Sequence, residues 1–99
     1  MSTKVRRSSG NVFRDIGFGA EEAENLRLRS ELMIQIRKLI ERRDLTQAAA
    51  AKVFGVTQPR VSDLVRGRID LFSIDALVNM LARAGVKVRL VLKRSSRVA

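Results

Sequence analysis

The sequence predicts a mainly helical single domain, four to five helices closed by one C-terminal strand. Three observations predict it. Apolar residues recur at helical spacing along several segments after Glu21, and Ser, Thr and Gly punctuate those segments. From Val86 to Leu92 the spacing changes, with apolar residues at every second position. A chain of 99 residues is enough for one such core and no second domain.

Residues 1–10 hold Lys4, Arg6 and Arg7 with almost nothing to bury, which predicts a flexible basic arm. Residues 11–19 place Val12, Phe13, Ile16 and Phe18 among glycines, an apolar segment expected to dock on the core or on a partner. The main domain spans 20–85. From Glu21, Leu26, Met33, Ile36 and Ile40 share one helical face, widened by Leu32 and Leu39. Glu21, Glu22 and Glu24 suit the start of a helix dipole, and Arg42 and Arg43 suit its end. The span to Arg43 is long for a globular helix, so Arg29-Ser30 is a candidate break. Acidic and basic residues balance between Glu21 and Asp44, and this outer face reads as solvated surface.

Asp44-Leu45-Thr46 resets the chain. Thr46 is placed as the N-cap of an Ala-rich helix, Gln47 to Phe54, which Gly55 ends in a left-handed cap. Thr57 caps again, with Pro59 tolerated in the first turn, and this helix runs to about Val65 before Arg66-Gly67-Arg68. Ser73 caps a further helix with Asp75 in its first turn, and Ile74, Leu77, Val78 and Leu81 face inward until Gly85. Residues 86–93 form the predicted strand, its alternation interrupted by Val91, and 94–99 form a basic tail.

Twenty Lys+Arg against ten Asp+Glu give a net charge of +10, which points to a polyanionic partner: DNA, RNA or an acidic membrane surface. With neither Cys nor His, disulfides, thiolate metal sites and the commonest general base are excluded, and no acidic, Lys or Ser cluster has catalytic spacing. An enzyme, a metal and a cofactor are therefore not expected. Four Phe with no Trp or Tyr make a poor stacking platform for single-stranded RNA. Apolar runs are too short to span a bilayer and the start lacks a secretory apolar region, which predicts a cytoplasmic protein without a membrane partner.

The most informative stretch is Thr46 to Leu64, two short helices joined by a glycine turn. Ala51 is expected to be small because the second helix crosses there, while Val56, Val61 and Leu64 fill the angle. Gln58, Arg60, Ser62, Asp63 and Arg66 stay outside, all of them charged or hydrogen-bonding, on a helix of a size that fits the major groove.

Leu45-Thr46-Gln47, Ala51, Gly55-Val56, Val61-Ser62 and Gly67 closely resemble the helix-turn-helix of the XRE (lambda-repressor-like) family. Asn11-Val12-Phe13, Gln58 to Leu64 and Phe72-Ser73 extend the resemblance to HigA-type antitoxins, over about residues 11–92. The resemblance implies a lambda-repressor-like fold and a repressor of double-stranded DNA. It implies base reading by Thr57, Gln58, Arg60 and Ser62, and phosphate contact by Gln47; Lys52, Arg66 and Arg68 are further phosphate candidates. It also implies a possible second role, neutralising a small basic RelE/HigB-like ribonuclease toxin.

A lone strand leaves both edges unpaired. Two copies pairing antiparallel would lay Val86, Val88, Leu90 and Leu92 over the helices and make a homodimer suited to a palindromic operator. The alternative is pairing with residues 11–16 of the same chain.

Overall fold

The computed structural model describes residues 11–94. The basic arm 1–10 and residues 95–99 of the tail lie outside the described residues. Five α-helices follow in order: α1 (Val12–Asp15), α2 (Ala20–Arg42), α3 (Gln47–Phe54), α4 (Gln58–Val65) and α5 (Ile74–Arg83). A 3-10 turn, Ile69–Leu71, separates α4 from α5.

Residues 11–16 do not pair as a strand with the C-terminal segment, because Asn11 turns them into a helix. Its Oδ1 accepts from the amides of Phe13 (3.0 Å) and Arg14 (3.2 Å), and its Nδ2 donates to the Ala23 carbonyl at 3.0 Å. One buried side chain thus caps α1 and ties it to α2. The Phe13 and Phe18 rings meet edge to face at 6.2 Å, closing the loop between the two helices.

α2 runs through Arg29-Ser30 without the break that its length suggested. Its inward stripe is packed on other helices, and neither Gly nor Pro interrupts the segment, so nothing breaks the hydrogen-bond ladder there. Along its exposed side Arg27 bonds Glu24 at 2.7 Å and Glu31 at 3.0 Å, holding Glu24 below the usual carboxylate range. Arg29, two positions after Arg27, bonds Asn25 Oδ1 at 2.7 Å through Nε and reaches across to another element through Nη1. It donates to the carbonyls of Ile69 (3.3 Å) and Phe72 (3.4 Å) and anchors the turn before α5.

The core lies where α2, α3, α4 and α5 meet. Met33 and Ile36 from α2, Ala50 and Phe54 from α3, Val61 and Leu64 from α4, and Leu77, Met80 and Leu81 from α5 close around Phe72. Ile74 and Val78, expected to face inward, are only half-buried.

Residues 86–94 form no strand, and no strand occurs among the described residues. A strand exists only as a hydrogen-bonded ladder, and among the described residues no second extended segment pairs with it. The Val86 amide still donates to the Leu81 carbonyl at 2.9 Å, and Val86 and Val88 pack against the core. Leu90 and Leu92 stand in solvent, 81% and 91% exposed.

Candidate nucleic-acid interface

The site is built from α3, its turn and α4. Thr46 accepts from the Ala49 amide at 3.1 Å and starts α3, and Thr57 accepts from the Arg60 amide at 3.4 Å and starts α4. Gly55 joins them at φ 70°, ψ 34°, a left-handed conformation that costs an L side chain about 1–2 kcal/mol. The Val56 amide bonds back to Ala51 at 3.0 Å and tightens the turn. Where α3 packs closely into the core, the fully buried small residue is Ala50, while Ala51, expected at that crossing, is half-buried. Ala50 and Phe54 are one turn apart and therefore share the inner face.

Val61 and Leu64 bury one side of α4. At ~100° per residue this turns Pro59, Asp63 and Arg66 directly away from the core, with Ser62 and Gln58 along one shoulder and Arg60 along the other. Gln58 and Arg66 are exposed, and Ser62 and Asp63 are half-buried against their neighbours. The row is continuous and consists, apart from Pro59, of hydrogen-bonding side chains.

Arg60 is held within the chain. Its Nη1 donates to the Leu71 carbonyl at 2.7 Å, and its guanidinium carbon lies 4.2 Å above the centroid of the buried Phe72 ring. The same guanidinium that sequence spacing places among the outward residues joins α4 to the turn before α5. Arg29 grips that turn from the other side, so two arginines set where residues 69–72 lie relative to α4. Neither role has a local signal: the partners are backbone carbonyls 11 to 43 residues away.

Gln47 and Lys52 are exposed on α3, at its first residue and in its last turn. Arg66 Nη2 meets Asp63 Oδ1 at 3.2 Å on α4, and Arg68 Nε stands 3.8 Å from Asp70 Oδ1 just beyond it. Of the four phosphate candidates, the two arginines thus carry a carboxylate neighbour. Thr57, Gln58 and Ser62 are brought together on the start and one shoulder of α4, with Gln47 on the preceding helix. No helix among the described residues is long and apolar enough to cross a membrane.

The chain matches, over residues 12–93, the family model described as a helix-turn-helix domain. It is also similar to a solved structure described as an XRE family transcriptional regulator. The two share 31% sequence identity at a TM-score of 0.70, over 79% of this chain and 88% of that one. No curated protein matches the chain.

Proposed function

Because the chain belongs to the XRE-type helix-turn-helix family, we propose that it is a sequence-specific double-stranded DNA-binding transcription regulator. The observation that carries this is the polar row on α4, standing opposite the buried Val61 and Leu64 and preceded by a capped, glycine-turned helix. In such an arrangement α4 lies in the major groove. Gln58 supplies an amide that matches adenine N6 and N7, and Ser62 supplies a hydroxyl on the same shoulder. Thr57 contributes a hydroxyl at the end that enters first. Gln47, Lys52 and Arg68 contact the phosphates and set the register. Arg60, spent on Leu71 and Phe72, supports α4 from behind.

The regulator acts as a repressor, autoregulatory, on a palindromic operator. Two copies pair through residues 86–93, where Val86 and Val88 are already seated, Leu90 lines a hollow with Leu28, Leu32 and Val78, and Leu92 stands exposed. Covering each leucine contributes about 1.5–3 kcal/mol at most. The pairing presents two α4 helices to successive major grooves about 34–36 Å apart. Sedimentation equilibrium tests it: the wild type is expected to be dimeric and Leu90→Asp monomeric, and a monomeric wild type refutes the pairing.

DNA binding is tested by titrating duplexes from the protein's own promoter against scrambled duplexes at several salt concentrations. Gln58→Ala is expected to weaken operator binding by about tenfold or more with little change on scrambled DNA. Lys52→Ala should flatten the salt dependence by about one unit. Equal losses on both duplexes for Gln58→Ala would remove base reading from that residue.

A second role as an antitoxin is favoured by α1 and its C-cap, where Val12 and Ile16 are 62% and 68% exposed and offer an apolar surface to a protein partner. Co-expression with a small basic ribonuclease encoded next to this protein tests it. A stable complex and restored growth support that role, and their absence removes it.

A further inference from the structure

The face of α4 that points away from the core carries a carboxylate. On a phosphate-binding surface an isolated Asp63 would be repelled, so its retention there calls for a partner. The partner is Arg66, whose Nη2 donates to Asp63 Oδ1 at 3.2 Å. The Asp63 side chain is 24% exposed and that of Arg66 63%, so the carboxylate is the anchored member and the guanidinium the presented one.

Direction matters here. Asp63 is three residues N-terminal to Arg66, and the contact draws the guanidinium back along α4 toward its first turn. That is the end of a recognition helix that enters the groove. A guanidinium carries five N–H donors in a rigid plane, and one of them is engaged by Asp63. The others remain for a second planar acceptor, and guanine O6 and N7 in the major groove form such a pair. Pairing with Asp63 also offsets the charge that would draw Arg66 to the backbone. The neighbouring Arg68–Asp70 contact differs in each respect: it is 3.8 Å long, uses Nε, and lies beyond the end of α4.

We propose that Asp63 buttresses Arg66 as a guanine-reading fork, making the pair a specificity determinant of the operator and removing Arg66 from the phosphate contacts. This rests on α4 being the recognition helix of a DNA-binding regulator.

The experiment selects binding sites from a randomised duplex library and measures salt dependence for the full chain and for Arg66→Ala, Arg66→Lys and Asp63→Ala. Thermal melts establish that each variant is folded, and the exposed Arg66 leaves its backbone bonds to Ser62 and Leu64 intact when its side chain changes. The wild type is expected to select guanine at one position of each half-site. Arg66→Ala loses that preference alone and weakens operator binding about 10- to 100-fold, with the salt slope nearly unchanged, while Arg66→Lys, a cation that still reaches guanine but has no planar fork for Asp63 to hold, loses part of both. Asp63→Ala relaxes the same position and steepens the slope by about one unit, as the released guanidinium joins the backbone. If Arg66→Ala instead flattens the slope by about one unit and keeps every base preference, Arg66 is a phosphate contact and the proposal is overturned. Unchanged base preferences in Asp63→Ala overturn the buttress. A wild type that selects no sequence overturns the DNA-reading premise as well, which separates the two failures.

Discussion

Replacing Arg60 with Ala distinguishes a base-reading side chain from a structural one. In the folded chain the guanidinium sits 4.2 Å above Phe72, itself 1% exposed, and donates to Leu71 at 2.7 Å. A cation over an aromatic face is worth about 0.5–2 kcal/mol. A hydrogen bond from a charged donor contributes about 1.5–3 kcal/mol, and the lower end applies because water reaches this carbonyl once the arginine is gone. Together Arg60→Ala should cost about 2 kcal/mol, which lowers the melting temperature of a domain this size by about 8–16 °C. Arg60→Lys keeps a cation over the ring and loses the planar fork, so about half of that loss is expected. The assay is thermal melting by circular dichroism, paired with binding-site selection on the same variants. The expected result is a lowered melting temperature with base preferences intact. An unchanged melting temperature together with a lost preference at one base would refute the assignment and make Arg60 a reader.

Three further outcomes are expected. Gly55→Ala places a Cβ in a left-handed backbone and 2.9 Å from the Arg83 guanidinium, whose flexible end can swing away. The backbone term dominates, at about 1–2 kcal/mol, and melting should show the same loss in an Arg83→Ala background. Asn11→Ala removes the cap of α1 and leaves the Ala23 carbonyl without its side-chain donor, a local cost of about 1–2 kcal/mol. Amide exchange should accelerate over residues 13–18 while protection in α3 and α4 is kept; uniform acceleration would show that α1 is part of the cooperative core. Glu24 is held below its ordinary value of 4.5 by its bond to Arg27. A depressed carboxylate contributes stability that is fully present above its unfolded value and is lost as pH falls through the lower folded one. Denaturant titrations below about pH 4.5 should therefore show a weaker acid dependence for Glu24→Gln than for the wild type, small because the pair is solvent-exposed.

Much of this architecture is written in local chemistry. Thr46, Thr57 and Ser73 each accept a hydrogen bond from the amide three residues on, and Gly55 and Gly85 adopt left-handed turns. These are interactions between near neighbours, so residue identity and spacing are enough to place the helix ends. The same holds for the buried Val61 and Leu64 and for the polar row opposite them, because helical periodicity assigns both faces at once. Local chemistry does not say where a long side chain goes. Arg29 and Arg60 end on carbonyls that the chain brings near only after α2, α4 and the 69–72 turn have packed, and Asn11 finds Ala23 in the same way. Ala50, more than Ala51, is buried because the angle of α3 against the core decides which small residue faces inward. The alternation from Val86 to Leu92 is a local property, whereas a strand is a relation between two segments, and one folded copy supplies only the first. Near-neighbour chemistry is enough for a capped helical domain with a polar face on α4. Packing of the helices sets Arg29 and Arg60 against the 69–72 turn and leaves Arg66 exposed, because contacts across 11 to 43 residues depend on how rigid elements meet.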